Sequence, residues 1–408
     1  MVRLILRGFA LGTLALASPI FAQSAEDDSE LFSEDEQFLR IGTDDENITF
    51  APFVQLDAGY SDTNRTSNDT DARIRLARLY VFATKGDFSG TFAYDFKSDL
   101  LRYAFGAYQI DDSFKVQVGQ QDEPFSLQDY SGSRFLPFAE AGRSAALIPG
   151  DNVGIVARYS GNNYSLAGGV FGGDLNNGLA EGGVAITGRA TFAPVYEQSR
   201  IERGGDATQD GLGTQRVEDL LHFGAGVSAR FDIDDPLNFT SNANSSILTR
   251  SLATQPELPS ANSLLRLNLE AARSVGSFSL QSEFTAARID TDQVEGTAHA
   301  GYLYASYFLT GERRGYSRGS GTFGRVIPIN PIDEGGFGAI EVGARADYLD
   351  LSDLEAAAGA EWGLTGVVNA YLTKRITLTA DYSFSKVTAG ANDGLEAHAI
   401  TGRVQFAY

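Results

Sequence analysis

The chain has 408 residues, including 45 Gly, 27 Phe and 17 Tyr but no Cys, and its formal net charge is −21. The absence of Cys excludes thiol catalysis, disulfides and thiolate metal sites. The three histidines (His222, His299 and His398) are scattered, and the mean hydropathy of −0.15 argues against a helical membrane protein. With so many acids and no basic stripe, a nucleic-acid partner is disfavoured.

Residues 1–22 have the pattern of a secretory signal peptide. Arg3 and Arg7 form a basic start, residues 9–17 form a short apolar core, and small residues precede Ala22. The apolar core is too short to span a bilayer. We expect cleavage after Ala22, with Ala25 as the alternative, and therefore an exported protein.

Residues 23–47 form an acidic extension. Ten acidic residues stand here against the single basic residue Arg40. Runs of like charge are usually solvated, so we expect a polar tail ahead of the folded domain at 48–408.

From residue 50 onward, apolar and polar residues alternate in short segments. Alternation with period two predicts β-strands that present one apolar and one polar face. Abundant Gly, aromatic residues and a final strand that ends on Tyr408 are typical of an outer-membrane β-barrel. Sixteen strands are predicted, at 50–60, 73–84, 88–97, 101–110, 115–120, 153–160, 164–171, 184–194, 221–232, 264–273, 278–289, 299–310, 336–349, 362–373, 376–387 and 396–408.

The connectors between these strands mostly alternate between short and long. This rhythm is typical of bacterial barrels, which have short periplasmic turns and longer outer loops. Segments 196–219 and 311–334 are long where a short turn is due, and 98–100 is short where a longer loop is due. A hairpin hidden in either long connector would raise the number of strands to eighteen.

If the apolar face contacts lipid, charged residues on the other face line the lumen. Two interpretations are open: the charges pair with one another across strands, or the arginines form a cationic track for anions. Arg78 falls on the apolar face, so we expect a β-bulge or an interfacial position there. The basic set is Arg75, Lys97, Arg102, Lys115, Arg158, Arg189, Arg230, Arg266, Arg345 and Arg403, and the acidic set is Asp57, Asp95, Glu270, Glu283, Glu341, Asp347 and Asp381.

Residues 121–150 interrupt the alternation for about thirty positions. A connector of this length with Pro, Phe and Arg together is expected to pack against other parts of the protein rather than to extend into water. In a closed barrel, the available place is the lumen. We therefore predict an inward-folded constriction loop at 121–150.

Several motifs resemble those of the phosphate-selective porin O and P family, which comprises trimeric, sixteen-stranded outer-membrane channels. The matching stretches are RLARL (75–79), VGQ (118–120), EPFSL (123–127), SRF (133–135), VFGGD (170–174), ASYFLTGE (305–312), SGTFGRV (320–326) and DYLDL (347–351). The resemblance covers about residues 50–408 and implies a homotrimer and an anion-attracting pore.

Two positions depart from the family pattern. Members typically have two adjacent arginines where this chain has Arg75-Leu76, and a Phe-Lys pair where it has Gln121-Asp122. Exchange of a lysine for Asp122 replaces attraction of an anion with repulsion. Arg75 and Arg134 match the family's basic positions, and Arg102 stands where the family has a lysine.

The function expected from the sequence is passive diffusion of small hydrophilic solutes and ions across the outer membrane, with a possible preference for anions such as phosphate. The alternatives are a barrel enzyme, a non-channel structural barrel or a secreted sandwich, and no cofactor or metal is expected. The predicted anion-attracting residues are Arg75, Arg102, Lys115, Arg134, Arg143, Arg158 and Arg189, and the predicted opposing acids are Asp122, Glu123 and Glu140.

Overall fold

The computed structural model describes residues 39–43, 45–65, 68–179, 182–200, 215–234, 236–241, 244–248, 252–253, 260–355 and 358–408. The predicted signal peptide (1–22) and residues 23–38 of the acidic extension lie outside the described residues. No helix among the described residues is long and apolar enough to cross a membrane.

Nineteen strands and one short helix, α1 (Leu127–Ser131), make up the described secondary structure, together with a few 3-10 turns. The strands are β1 (Leu39–Gly42), β2 (Glu46–Thr63), β3 (Asp69–Lys85), β4 (Phe88–Asp95), β5 (Leu100–Gln109), β6 (Phe114–Asp122), β7 (Asp151–Ser160), β8 (Tyr164–Phe171), β9 (Val184–Arg200), β10 (Gln215–Ile233), β11 (Ala261–Val275), β12 (Phe278–Asp290), β13 (Glu295–Phe308), β14 (Tyr316–Ser317), β15 (Thr322–Phe323), β16 (Ala339–Asp350), β17 (Ala360–Tyr371), β18 (Ile376–Ala389) and β19 (Glu396–Ala407).

Sixteen of these strands form one closed antiparallel sheet. Strands β2–β13 and β16–β19 each pair with their neighbours in chain order, and β19 pairs with β2 to close the barrel. Closure leaves every barrel strand hydrogen-bonded on both sides, which a lipid environment requires. The extra strand β1 pairs with the start of β2, so the end of the acidic extension belongs to the sheet and is not a free tail.

The two faces of the barrel wall differ in chemistry, as β11 shows. Its outward residues Leu265, Leu267 and Leu269 are each about half exposed (50%, 45% and 50%). The residues between them, Arg266 and Asn268, are buried on the interior face. An apolar exterior and a polar interior are the arrangement of a transmembrane barrel with a polar lumen.

One predicted face assignment is wrong, and its cause is a β-bulge in β3. Cross-strand pairing places Gln55 opposite Leu76 but Leu56 opposite Ile74, so Arg75 is the extra residue. The bulge reverses the alternation of side chains after Arg75. Strict alternation places Leu76, Tyr80 and Phe82 on the apolar, lipid-facing side of this strand together with Ile74. The bulge instead puts these three residues on the interior face with Arg78, and the bulge predicted from Arg78 is therefore present.

The two long connectors have different structures. Strands β9 and β10 extend well beyond their predicted ends, so the connector predicted at 196–219 shortens to 201–214, which lies outside the described residues. Segment 311–334 does contain a hairpin, β14–β15, but it forms a separate two-stranded sheet. The barrel thus has sixteen strands and not eighteen.

Candidate functional site

The first half of segment 121–150 contacts the interior face of β10–β12. Glu283 of β12 accepts hydrogen bonds from Ser126 Oγ (2.8 Å) and from the backbone N–H groups of Leu127 (3.1 Å) and Gln128 (2.7 Å), at the start of α1. The Phe125 carbonyl accepts a bond from Asn268. A Cβ at position 226 would lie 2.1 Å from that carbonyl, so only Gly226 allows the segment to approach β10 so closely.

The second half of the segment contacts different strands, across Glu140. Arg75 Nε and NH2 donate to the two Glu140 carboxylate oxygens at 2.7 and 2.8 Å, and Arg403 NH2 donates to Oε1 at 3.1 Å. Arg345 NH1 donates to the Glu140 carbonyl at 2.9 Å. Bidentate charge-assisted bonds of this kind fix geometry as well as adding energy. Glu140 therefore joins the segment to β3, β16 and β19.

Arg143 is enclosed completely between the segment and strands β16–β18. Its Nε donates to Glu361 at 2.6 Å, NH2 donates to Ser385 Oγ at 2.6 Å, and NH1 donates to Asp347. Its side chain has no exposed area, and neither do those of the two carboxylates. A guanidinium buried between two acids holds the chain in place and is not available to a solute.

Glu123 begins the segment, and it is also fully paired. Arg230 NH2 of β10 donates to Oε1, Asn152 Nδ2 donates to the same oxygen at 2.8 Å, and Thr187 Oγ1 donates to Oε2. The carboxylate is buried behind these donors. Glu123 therefore acts on the wall of the barrel rather than on open space in the lumen.

Asp122 and Asp151 lie opposite each other at the point where the segment leaves β6 and returns to β7. Arg102 NH2 pairs with Asp151 Oδ2 at 2.8 Å, and Tyr103 OH donates to Asp122 Oδ2 at 2.6 Å. Asp129 of α1 interacts electrostatically with Asp122 and Arg102. Burial raises the pKa of its carboxyl group to about 8, Asp122 adds to the rise, and Arg102 opposes it.

Three of the predicted basic residues lie side by side across neighbouring strands. Lys115 is opposite Arg158, Arg158 is opposite Ala167, and Ala167 is opposite Arg189. All four line a cavity of about 150 Å³ together with Tyr130, hydroxyl-bearing side chains and one carboxylate, that of Asp112. The row therefore places three cations within the width of four strands, which neighbour one another at ~4.8 Å spacing.

Tyr130 of α1 links this row to segment 121–150. Arg158 NH2 donates to the Tyr130 hydroxyl at 2.7 Å, and the guanidinium carbons of Arg158 and Arg189 lie 5.1 and 5.5 Å from the centre of its ring. Arg189 also makes a bidentate pair with Glu270, with both distances 2.8 Å. The charge of Arg189 is therefore largely compensated.

Arg134 lies among aromatic rings. Its guanidinium carbon is 4.7 Å from the ring centre of Tyr80 and 5.2 Å from that of Phe135. Its carbonyl accepts a hydrogen bond from Gln405 at 3.0 Å. These contacts join segment 121–150 to β3 and β19.

Segment 309–338 also enters this network. Arg314 NH2 donates to the Phe135 carbonyl at 2.9 Å, and Phe323 N donates to Ser131 Oγ at 3.0 Å. Arg189 donates to the carbonyl of Gly321 at 2.8 Å. These contacts could not be predicted, because the alternation of apolar and polar residues does not show which strands a connector contacts.

The structure thus groups the predicted residues differently from our expectation. Lys115, Arg158 and Arg189 lie in one row, whereas Arg134 and Arg143 belong to segment 121–150 and Arg75 of β3 contacts that segment through Glu140. Two of the three acids predicted to oppose the arginines bind one: Glu140 binds Arg75, and Glu123 binds Arg230, whereas Asp122 accepts a hydrogen bond from Tyr103. The sequence analysis missed the roles of Tyr130, Arg314 and the β14–β15 hairpin. The available signal was the presence of aromatic residues within long connectors.

The histidines form no hydrolytic arrangement. His222 contacts Tyr316 OH (2.6 Å) and Glu270 (3.1 Å), His299 lies 3.8 Å from Asp350, and His398 contacts Tyr382 OH (2.7 Å). A nucleophilic triad needs a Ser, Thr or Cys next to the imidazole. Within the part of the chain that the structure describes, no group of three His, Asp or Glu side chains could hold a metal ion.

Solved structures of outer-membrane channels share this fold. The anion-selective porin from Comamonas acidovorans is 13% identical, with 89% of this chain and 100% of that chain covered and a TM-score of 0.53. The outer membrane channel DcaP of Acinetobacter baumannii is 12% identical, with 90% and 99% covered and a TM-score of 0.52. Salmonella typhi OmpF, in complex with daunomycin, is 11% identical over 90% and 100%, with a TM-score of 0.55.

A closed sixteen-stranded barrel with an apolar exterior and a polar interior, similar to these structures, defines an outer-membrane porin. The family model for phosphate-selective porin O and P matches residues 50–408, and the chain belongs to that family. An uncharacterized protein of Caulobacter vibrioides is 29% identical over 372 residues, which are 85% of this chain and 70% of that protein.

Proposed function

We propose that this porin is a passive diffusion channel for small hydrophilic solutes and ions, and that segment 121–150 narrows it. The segment bonds to Glu283 of β12 through Ser126 and to Arg75 of β3 and Arg403 of β19 through Glu140. These strands stand far apart around the barrel, with β13 and β16–β18 between β12 and β19. A segment that bonds to both sides in this way supports a constriction across the lumen.

We propose further that the channel prefers anions. The observation that carries this proposal is the row of Lys115, Arg158 and Arg189 around a water-accessible cavity. Arg189 is balanced by Glu270, so the excess of positive charge around the cavity comes from Lys115 and Arg158 against the single acid Asp112. A cleft with an excess of one charge concentrates counter-ions, and charged rings select ions in pores. The family description favours phosphate among the anions.

The test is the reversal potential of the purified protein in a planar bilayer across a KCl gradient. We expect the reversal potential to have the sign of a chloride-selective channel, and we expect Arg158→Gln to shift this potential toward zero. Lys85→Gln is the matched control, because Lys85 is an exposed cation paired with Glu46 and lies away from the cavity. A cation-selective wild type would refute the anion preference.

We also propose that the protein is exported by means of a cleaved signal peptide and that it assembles as a homotrimer. The basic, apolar and small-residue pattern of residues 1–22 supports cleavage of a signal peptide before insertion into the outer membrane. A trimer is supported by the solved trimer form of Vibrio cholerae OmpT, which is 9% identical with a TM-score of 0.52 and covers 90% of this chain and 100% of its own. N-terminal sequencing and native mass spectrometry in detergent test these two points.

A closed structural barrel is the second candidate. The observation in its favour is that connectors other than segment 121–150 also bond to the interior wall, such as Asn244 to Asp347 (2.7 Å) and Arg189 to the Ser320 carbonyl (2.9 Å). Conductance measurements distinguish this candidate from an open channel.

A further inference from the structure

Most interior arginines described above are balanced by carboxylates within bonding distance. These residues form three groups with equal numbers of arginines and acids: two groups have two arginines and two acids each, and the third has one of each. The three groups are Arg75 and Arg403 with Glu140 and Asp57, Arg143 and Arg345 with Asp347 and Glu361, and Arg189 with Glu270. These groups have no net charge, so they add little attraction for a passing anion.

Arg266 of β11 is an exception among the described residues. It lies on the interior face, only 7% of it is exposed, and its Nε and NH1 atoms are enclosed without a hydrogen-bond partner. The carboxylate that attracts it is Glu123, while Arg230 repels it. Glu123 already receives bonds from Arg230, Asn152 and Thr187. Two guanidinium groups thus share one carboxylate, and the group has one excess positive charge.

A buried guanidinium with idle donors is energetically costly, because its lost hydration is not replaced. An oxygen-bearing anion restores both the hydrogen bonds and the charge balance. The cross-strand neighbours of Arg266 are Ser228, which carries a hydroxyl, and Ala287, which is small, so neither places a bulky or charged side chain beside the guanidinium.

We propose that Arg266 is a binding residue for small oxyanions on the interior wall of this channel. The inference rests on the proposed anion preference and assigns a specificity-determining role to a residue outside the cationic row. Arg230 contributes the second positive charge of the site. Glu123 keeps Arg230 in place and limits the excess to a single charge, which favours release as well as binding.

The test is the block of chloride current by inorganic phosphate in a planar bilayer, for wild type, Arg266→Gln and Arg266→Lys. Loss of a charge-assisted hydrogen bond to the ligand corresponds to at least about tenfold weaker block. Arg288→Gln is the matched control, because Arg288 is on the neighbouring strand β12, is 61% exposed and pairs with Glu295. We expect Arg266→Gln to weaken the block at least about tenfold, Arg266→Lys to restore part of it, and Arg288→Gln to leave it unchanged.

Folding is checked separately by thermal unfolding with and without phosphate. Because Arg266 Nε and NH1 have no hydrogen-bond partner within the described part of the chain, Arg266→Gln should fold as well as wild type, and phosphate should stabilise wild type more than the variant. Equal block of wild type and Arg266→Gln would overturn the assignment, yet leave the proposed function intact if the KCl reversal potential remains on the chloride side. A cation-selective wild type that phosphate does not block would overturn both.

Discussion

Replacement of Glu140 by Gln tests how segment 121–150 is held. In the native protein, the Glu140 carboxylate receives two bonds from Arg75 and one from Arg403. Hydrogen bonds to charged groups contribute ~1.5–3 kcal/mol each, but the Arg75 side chain is 39% exposed and solvent weakens its share. Arg403 keeps its pair with Asp57. We therefore expect Glu140→Gln to lower the free energy of unfolding by about 2 kcal/mol.

The same substitution should change ion selectivity. Arg75 loses its carboxylate, so the lumen gains about one positive charge. A unit charge at ~4 Å is worth about 1 kcal/mol in water and more in a confined pore, which is a factor of about five in relative permeability. Planar-bilayer reversal potentials should shift toward chloride, whereas Glu295→Gln, which removes an exposed pair, should leave them unchanged. A shift toward potassium, or no shift with unaltered stability, would refute the reasoning.

Three further substitutions test other parts of the site. Asp122→Lys reverses a charge at the start of the segment and should shift the reversal potential toward chloride. Because the pKa of Asp129 is about 8, its carboxyl group is neutral below that pH and ionised above it. The added negative charge should lower the anion preference of the wild type between pH 7 and 9. The reversal potential of Asp129→Asn should not change over that range. Arg143→Met leaves Asp347 and Glu361 buried without a cation and should cost about 3–5 kcal/mol; an unchanged urea midpoint in lipid vesicles would contradict that role.

The barrel could be predicted because the alternation of apolar and polar residues within each strand indicates which side chains face lipid and which face the interior. In β11, leucines alternate with Arg266, Asn268 and Glu270, and the structure places the two sets on opposite sides. The assignment failed in β3, where the extra residue Arg75 reverses the faces from Leu76 onward. A bulge changes the alternation at one position, and the only signal for it was the misplaced Arg78.

The partners of the interior charges could not be predicted. Arg143 is 218 positions away from Glu361 and 204 from Asp347, and no local pattern links residues so far apart. The sequence placed both kinds of charge on the interior face, but left open whether they pair with one another or form a track. Closure of the barrel and the path of segment 121–150 decide this: most of the interior arginines described above pair with acids, whereas Arg266 forms no ion pair with any of the residues that the structure describes.

The measurement that tests the central claim most directly is the current that purified protein produces in a planar bilayer in KCl. A water-filled channel narrowed by segment 121–150 predicts discrete current steps as single trimers or protomers insert, with a reversal potential on the chloride side across a KCl gradient. A folded, membrane-inserted protein that produces no current steps would contradict the account and would mean that the connectors inside the barrel close it.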